Sequence, residues 1–141
     1  MTRRIETLAL GEAQLLVEAA LVAADGIECP VSIAVVDVGR ELLAFARQDD
    51  APLLSAEIAR SKAYTARSLN MATADLAAAT RPDAPLFGLE NSHPREVAIF
   101  AGGRPVESGG AVVGAIGVSG GTVEQDDEIA LAALAVLERA G

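Results

Sequence analysis

Lys62 is the residue whose neighbours along the chain leave its charge unexplained. On a helical reading it shares a stripe with Ile58, Ala59, Thr65, Ala66 and Leu69, and none of its i±3 or i±4 neighbours is a carboxylate. Arg60, by contrast, has Glu57 three residues back. A lysine on an inward face needs a distant partner, a snorkelling path or a ligand, because an unpaired buried ammonium loses its charge. The plainer role is a salt bridge to Asp126, Asp37 or a neighbouring subunit. The chemical role is a grip on an acidic ligand, or work as a base or amine nucleophile.

A second unusual feature is the run VVGAIGVSGGT at residues 112–122. As a strand it puts Ala111, Val113, Ala115, Gly117 and Ser119 on one face and Val112, Gly114, Ile116 and Val118 on the other. The first face is almost bare, and glycine within a strand marks a close approach, by a helix, a subunit or a flat ligand. Ser119, Gly120, Gly121 and Thr122 then lead into a helix, where converging N–H groups and the helix dipole suit a carboxylate or phosphate. The glycine spacing fits neither a dinucleotide fingerprint nor a P-loop. Asp126 and Asp127, in the first turn of that helix, stabilise its positive end by about 0.3–1 kcal/mol each, and they oppose a bound anion.

Other candidates are weaker. Arg47, in Arg47–Gln48–Asp49–Asp50, could join Lys62 as a carboxylate-binding pair, although strand-end charges are commonly just solvated. His93 has no second His or Cys at ligand spacing, so no metal site is expected. A surface role is its default, and single axial ligation of haem is the alternative. Tyr64, Cys29 and Met71 have no partners visible in the sequence, and no Ser-His-Asp order can be assigned to Ser119.

The elements that would position these residues follow from periodicity. Residues 10–26 read as an amphipathic helix carrying Leu16, Ala20 and Ala23, stopped at Gly26. Val31–Val36 and Glu41–Ala46 read as a hairpin about Asp37–Arg40. A helix from about Pro52 to Met71 follows, then a short one over Thr73–Ala79 capped by Thr73. The proline-containing stretch from Thr80 to Pro94 reads as a long surface loop and natural lid. Val97–Ala101, Pro105–Ser108 and Ala111–Ser119 read as a three-stranded meander, and a final helix starts at a Thr122/Gln125 capping box. Five strands joined mainly by tight turns make an α+β domain, an antiparallel sheet with helices packed on it, spanning residues 1–141 without an internal boundary.

Composition narrows the function classes. Acidic residues outnumber basic ones by 20 to 11, giving a net charge of −9, and aromatics make up 3% of the chain. Both argue against nucleic-acid binding. Cys29 is the only cysteine, so no intramolecular disulfide, four-cysteine zinc site or CxxC redox pair can form. No export signal and no membrane-spanning run are expected, and a cytoplasmic location fits.

The combination of GGRPV (102–106), GAVVGAIGVSGGTVEQDDEIA (110–130), EIARSKAYTA (57–66) and AVVDVGRELLAFARQD (34–49) resembles the GlcG/HbpS family over nearly the whole chain. That family also supplies the C-terminal domain of PduO-type corrinoid adenosyltransferases. The resemblance implies a profilin-like α/β/α fold with a five-stranded antiparallel sheet, and a homo-oligomer built from dimers. It also implies binding of haem or a corrinoid, or action on small acidic or imine-containing intermediates. The family's recurrent polar positions fall on Asp37, Arg47, Lys62, Thr65, Ser119 and Asp126. Family members often have Asp-Gly-Ala after the hairpin arginine, where this chain has Asp49–Asp50–Ala51.

Two functions follow. One is a protein holding a flat or carboxylated small molecule, with haem or another tetrapyrrole foremost, against the small-residue face. Its ligand-binding residues would be Arg47, Lys62, Thr65, Gly117, Ser119, Gly120, Gly121 and Thr122. The other is a cofactor-independent enzyme that hydrolyses or isomerises a small acidic or imine-type intermediate. There Lys62 would stabilise an anionic centre, and Asp126 or Ser119 would move a proton. The sequence leaves open whether any bond is broken.

Overall fold

The β-branched run after Pro30 forms β1 (Ser32–Asp37), and the chain reverses at once into β2 (Leu42–Arg47). Asp37 closes this turn, its Oδ1 accepting from the backbone N–H groups of Gly39 (2.8 Å) and Glu41 (3.0 Å). The computed structural model describes residues 1–140. Within it α1 (Leu10–Gly26) precedes this hairpin, and α2 (Ser55–Leu69), α3 (Thr73–Ala79), β3 (Gly103–Ser108), β4 (Ala111–Ser119) and α4 (Val123–Ala140) follow it. The strands form one antiparallel sheet in the order β2-β1-β4-β3.

Four strands form where five are expected. Val97–Ala101 is apolar enough to read as a strand, yet it joins no ladder among the described residues. Side chains hold it in place of a neighbouring strand: Ala98 N donates to Thr65 Oγ1 on α2 (2.9 Å), and just beyond the segment Gly103 N donates to Thr73 Oγ1 on α3 (2.9 Å). Thr73 is therefore not the cap of α3. Ala72 holds that position, and the Thr73 hydroxyl is spent on Gly103. The Thr122/Gln125 capping box does form at the start of α4, with reciprocal bonds of 2.9 and 3.1 Å. The stretch Thr80–Pro94 holds no strand and only the single 3-10 turn Leu89–Asn91.

The two faces of the sheet are packed differently. On one, α1 and α4 cover branched aliphatic side chains, with Leu16, Ile33, Val35, Ile116, Val118 and Ile129 all buried. On the other, α2 meets Ala34, Val36 and Ala115 through Ala59, Ala63 and Ala66. Removing side-chain bulk from both partners lets the helix backbone settle on the strand. A Cβ at Gly117 would run into the Ala59 carbonyl oxygen and lie 2.6 Å from the Ala63 nitrogen. The bare face of β4 is thus occupied by α2. Val113 departs from strict alternation and joins the aliphatic core, because the β3–β4 register slips between Val106 and Glu107.

Candidate functional site

Lys62 lies on the third turn of α2 and is 1% exposed, the largest fully buried side chain in the described chain. Its Nζ donates to Asp126 Oδ2 at 2.9 Å and to the Val118 carbonyl at 2.8 Å, and it sits 5.3 Å from the Phe100 ring centroid. Asp126, 2% exposed, reaches back the other way, its Oδ1 accepting from Gly121 N at 2.9 Å. The anion in the glycine nest before α4 is therefore the protein's own carboxylate. The nest, the helix start and the lysine satisfy one another.

Burial pushes the Lys62 amine below its ordinary value, against the hydrogen bond and charge of Asp126 that pull it up. Burial likewise pushes the Asp126 carboxyl above the usual carboxylate range, opposed by Lys62 and by the Gly121 and Gly120 N–H groups. Desolvation dominates at both members, as expected for an ion pair removed from water. Such an amine could serve as a base or nucleophile only if a substrate could reach it. Gly102 blocks that path: at φ +125° it passes so close that a Cβ there would lie 2.7 Å from Nζ. The expected ligand space between the glycine face and Lys62 is filled by α2 on one side and by the Phe100–Gly103 segment on the other.

The remaining expected site residues are dispersed. Thr65 donates to the Ser61 carbonyl (2.7 Å) and accepts from Ala98 N, which ties down the covering segment. Ser119 is buried opposite Ser32 at the end of β4, and Thr122 is an exposed capping residue. Arg47 does not join Lys62. It is an exposed residue on edge strand β2, lining a groove of about 610 Å³ with Asp25, Glu28 and Asp49. Three carboxylates around one guanidinium make that groove a poor home for an acidic ligand. Asp37, a recurrent family position, closes its own turn.

Two features escape sequence reasoning. The first is a groove of about 710 Å³ between α1, β3 and α4, partly walled by Leu8, Val106, Val113, Leu134 and Leu137. Leu15 and Leu131 also line it, although they are 44% and 45% exposed. At its edge Arg104 is held by Asp127 through two bonds of 2.8 and 2.7 Å. The volume lies within the usual range for a small-molecule pocket. The second feature is a cluster about Tyr64, which is 4% exposed. Arg40 from the hairpin turn and His93 and Arg95 from one later segment converge on it. Only Tyr64 and His93 were visible candidates, and nothing in their spacing links them. Among the described residues no group of three or more His, Cys, Asp or Glu side chains is placed to hold a metal ion. No described helix is long and apolar enough to cross a membrane.

The fold and this closed polar centre define a class: a small α+β protein with one antiparallel sheet between helical layers and a buried Lys–Asp strut at the start of the last helix. The family described as "Haem degrading protein HbpS-like" matches residues 8–135, and the chain belongs to it. A 15.0 kDa protein from the dhaT-dhaS intergenic region of Citrobacter freundii is 42% identical over 133 residues, covering 94% of each chain. The corrinoid adenosyltransferase PduO of the same organism is 38% identical over 131 residues, which is 93% of this chain but 39% of that protein. Among solved structures, Klebsiella pneumoniae protein ORFY superposes with a TM-score of 0.94 at 37% identity, covering 97% of this chain and 94% of that one. A PduOC:haem complex superposes with a TM-score of 0.88 at 36% identity, covering 92% and 94% respectively. HbpS gives 0.87 at 36% identity, covering 97% and 94%.

Proposed function

We propose that this protein binds haem or a related tetrapyrrole. The observation that carries the reading is the 36% identity, over 92% of the chain, to a protein crystallised with haem. The packing of α2 on β4 removes the glycine face as the binding surface, so the ligand takes an open groove instead. The groove between α1, β3 and α4 has the required size and aliphatic walls, and it leaves Leu15 and Leu131 nearly half exposed. A hydrophobic plane bound there would cover those leucines. Glu12, Asp75, Glu107 and Glu138 also line the groove, so the propionates of a bound haem would point away from them into solvent.

Titration of the purified protein with haemin tests this directly. A saturable Soret shift is expected, weakened about tenfold or more in Leu131→Glu, which places a charge in the apolar wall at an already exposed position. A non-saturating response in the wild type would overturn the tetrapyrrole reading. Unchanged binding in Leu131→Glu would move the ligand out of this groove. A homo-oligomer built from dimers and a cytoplasmic location belong to the same proposal, and sedimentation checks the first.

A further inference from the structure

We propose that Arg40, His93 and Arg95, gathered around Tyr64, form a binding site for a small oxyanion, a carboxylate or phosphate group. This is independent of the tetrapyrrole reading. The guanidinium carbons of Arg40 and Arg95 lie 4.8 and 3.8 Å from the Tyr64 ring centroid, and the His93 ring stacks at 6.1 Å with an interplanar angle of 21°. At the Tyr64 hydroxyl, Arg40 Nη1 donates at 3.1 Å and His93 Nε2 approaches to 3.1 Å. The other imidazole nitrogen, Nδ1, lies 2.8 Å from the Arg95 carbonyl oxygen, which fixes the ring.

The ring contacts account for where the guanidinium groups lie but not for their charge. In a chain where acids outnumber bases 20 to 11, neither arginine forms an ion pair among the described residues. A guanidinium carries five N–H donors in a planar fork. Arg40 uses one nitrogen, on Tyr64 and on Ser68 Oγ at 3.2 Å, and the Arg95 side chain makes no hydrogen bond among the described residues. The other N–H donors of both forks have no partner among the described residues, and such donors are what a carboxylate or phosphate engages.

Backbone conformation adds an independent observation. Arg40 sits at φ +70°, a left-handed conformation in which glycine or asparagine would be at ease and arginine is not. The turn accepts this cost while delivering a guanidinium to Tyr64. Glu57 and Glu96 line a cleft of about 250 Å³ beside Tyr64 and Arg95, and neither Arg40 nor His93 is part of that lining. The proposed anion lies on the Arg40 and His93 side of the ring, away from these two carboxylates.

Tyr64 and His93 are the only tyrosine and histidine of the chain, so their ring-proton NMR signals are assigned by composition alone. The intact protein is titrated with inorganic phosphate and, separately, with succinate, at fixed pH and with ionic strength held constant by sodium chloride. Saturable shifts of both rings are expected, with a midpoint on the order of millimolar. The tighter of the two anions identifies the preferred oxyanion. Arg95→Gln should weaken binding about fivefold or more. Arg40→Gly relieves the left-handed strain, so it stays folded, and should weaken binding to a similar extent. Shifts that merely follow chloride, or variants that titrate like the wild type, would overturn the proposal and leave the cluster as a staple for the 92–96 segment.

Discussion

Asp126, in the first turn of α4, and Asp127, the next residue, each hold one cation, but burial makes the two pairs different objects. Lys62–Asp126 has side-chain exposures of 1% and 3%, against 28% and 18% for Arg104–Asp127. The outer pair is a bidentate contact on a partly wet surface, where water and salt screen most of its attraction. The inner pair has given up its hydration and relies on the Val118 carbonyl and the Gly121 N–H to complete its hydrogen bonding. One residue of register along a helix thus separates a surface contact from a structural strut. A charge that looks catalytic in sequence can be the one least able to meet a substrate.

Removing one member of the inner pair should have the largest effect. Lys62→Met leaves Asp126 buried without its cation and should cost about 3–5 kcal/mol in urea unfolding at neutral pH. A loss under about 1 kcal/mol would mean that the two pairs are equivalent after all.

The pH dependence sharpens the contrast. Because burial holds the Asp126 carboxyl above its unfolded value, the folded chain keeps that proton longer than the unfolded chain. Its contribution to stability therefore falls as pH rises from the unfolded value through the raised one. Lys62 acts in the opposite sense: with its folded value lowered, its contribution rises with pH between that value and 10.5. Without Lys62, the Asp126 window extends to higher pH. The deficit of Lys62→Met relative to the wild type should shrink by on the order of 1–2 kcal/mol between pH 7 and pH 4, as the stranded carboxyl becomes protonated. Urea melts across that range check it, and a deficit independent of pH would contradict it.

Combining Lys62→Met with Asp126→Leu should recover much of what the single variant loses, leaving a deficit of about 1–2 kcal/mol for the Val118 carbonyl and Gly121 N–H that the pair had satisfied. At the outer pair, Arg104→Ala should cost only about 0.5–1 kcal/mol, and added salt should weaken the wild-type contact it removes.

Much of this arrangement was legible in the sequence wherever the signal is local. The helical stripes, the hairpin at Asp37–Arg40, the Thr122/Gln125 box and the lack of a carboxylate near Lys62 on its own helix all follow from spacing within a few residues. The plainer role the sequence allows Lys62 is a snorkelling path or a salt bridge to Asp126, Asp37 or a neighbouring subunit, and the fold selects Asp126. What spacing could not supply is which distant group fills which space. Val97–Ala101 has strand composition, but its partners are the hydroxyls of Thr65 and, just past its end, Thr73, and nothing about a threonine announces that its oxygen will replace a ladder bond. The glycine face of β4 correctly signalled a close approach, and only the packing of α2 shows that the visitor is a helix. The Tyr64 cluster draws on residues 40, 64, 93 and 95, joined only by the fold.

The most direct test of the account is haemin titration of the wild type beside the folded Lys62→Met, Asp126→Leu double variant. If the inner pair is a strut and the ligand lies in an open groove, both proteins should give the same saturable Soret shift. A shift present in the wild type and lost from the double variant would restore Lys62 as a ligand-binding residue and contradict the separation of strut from site.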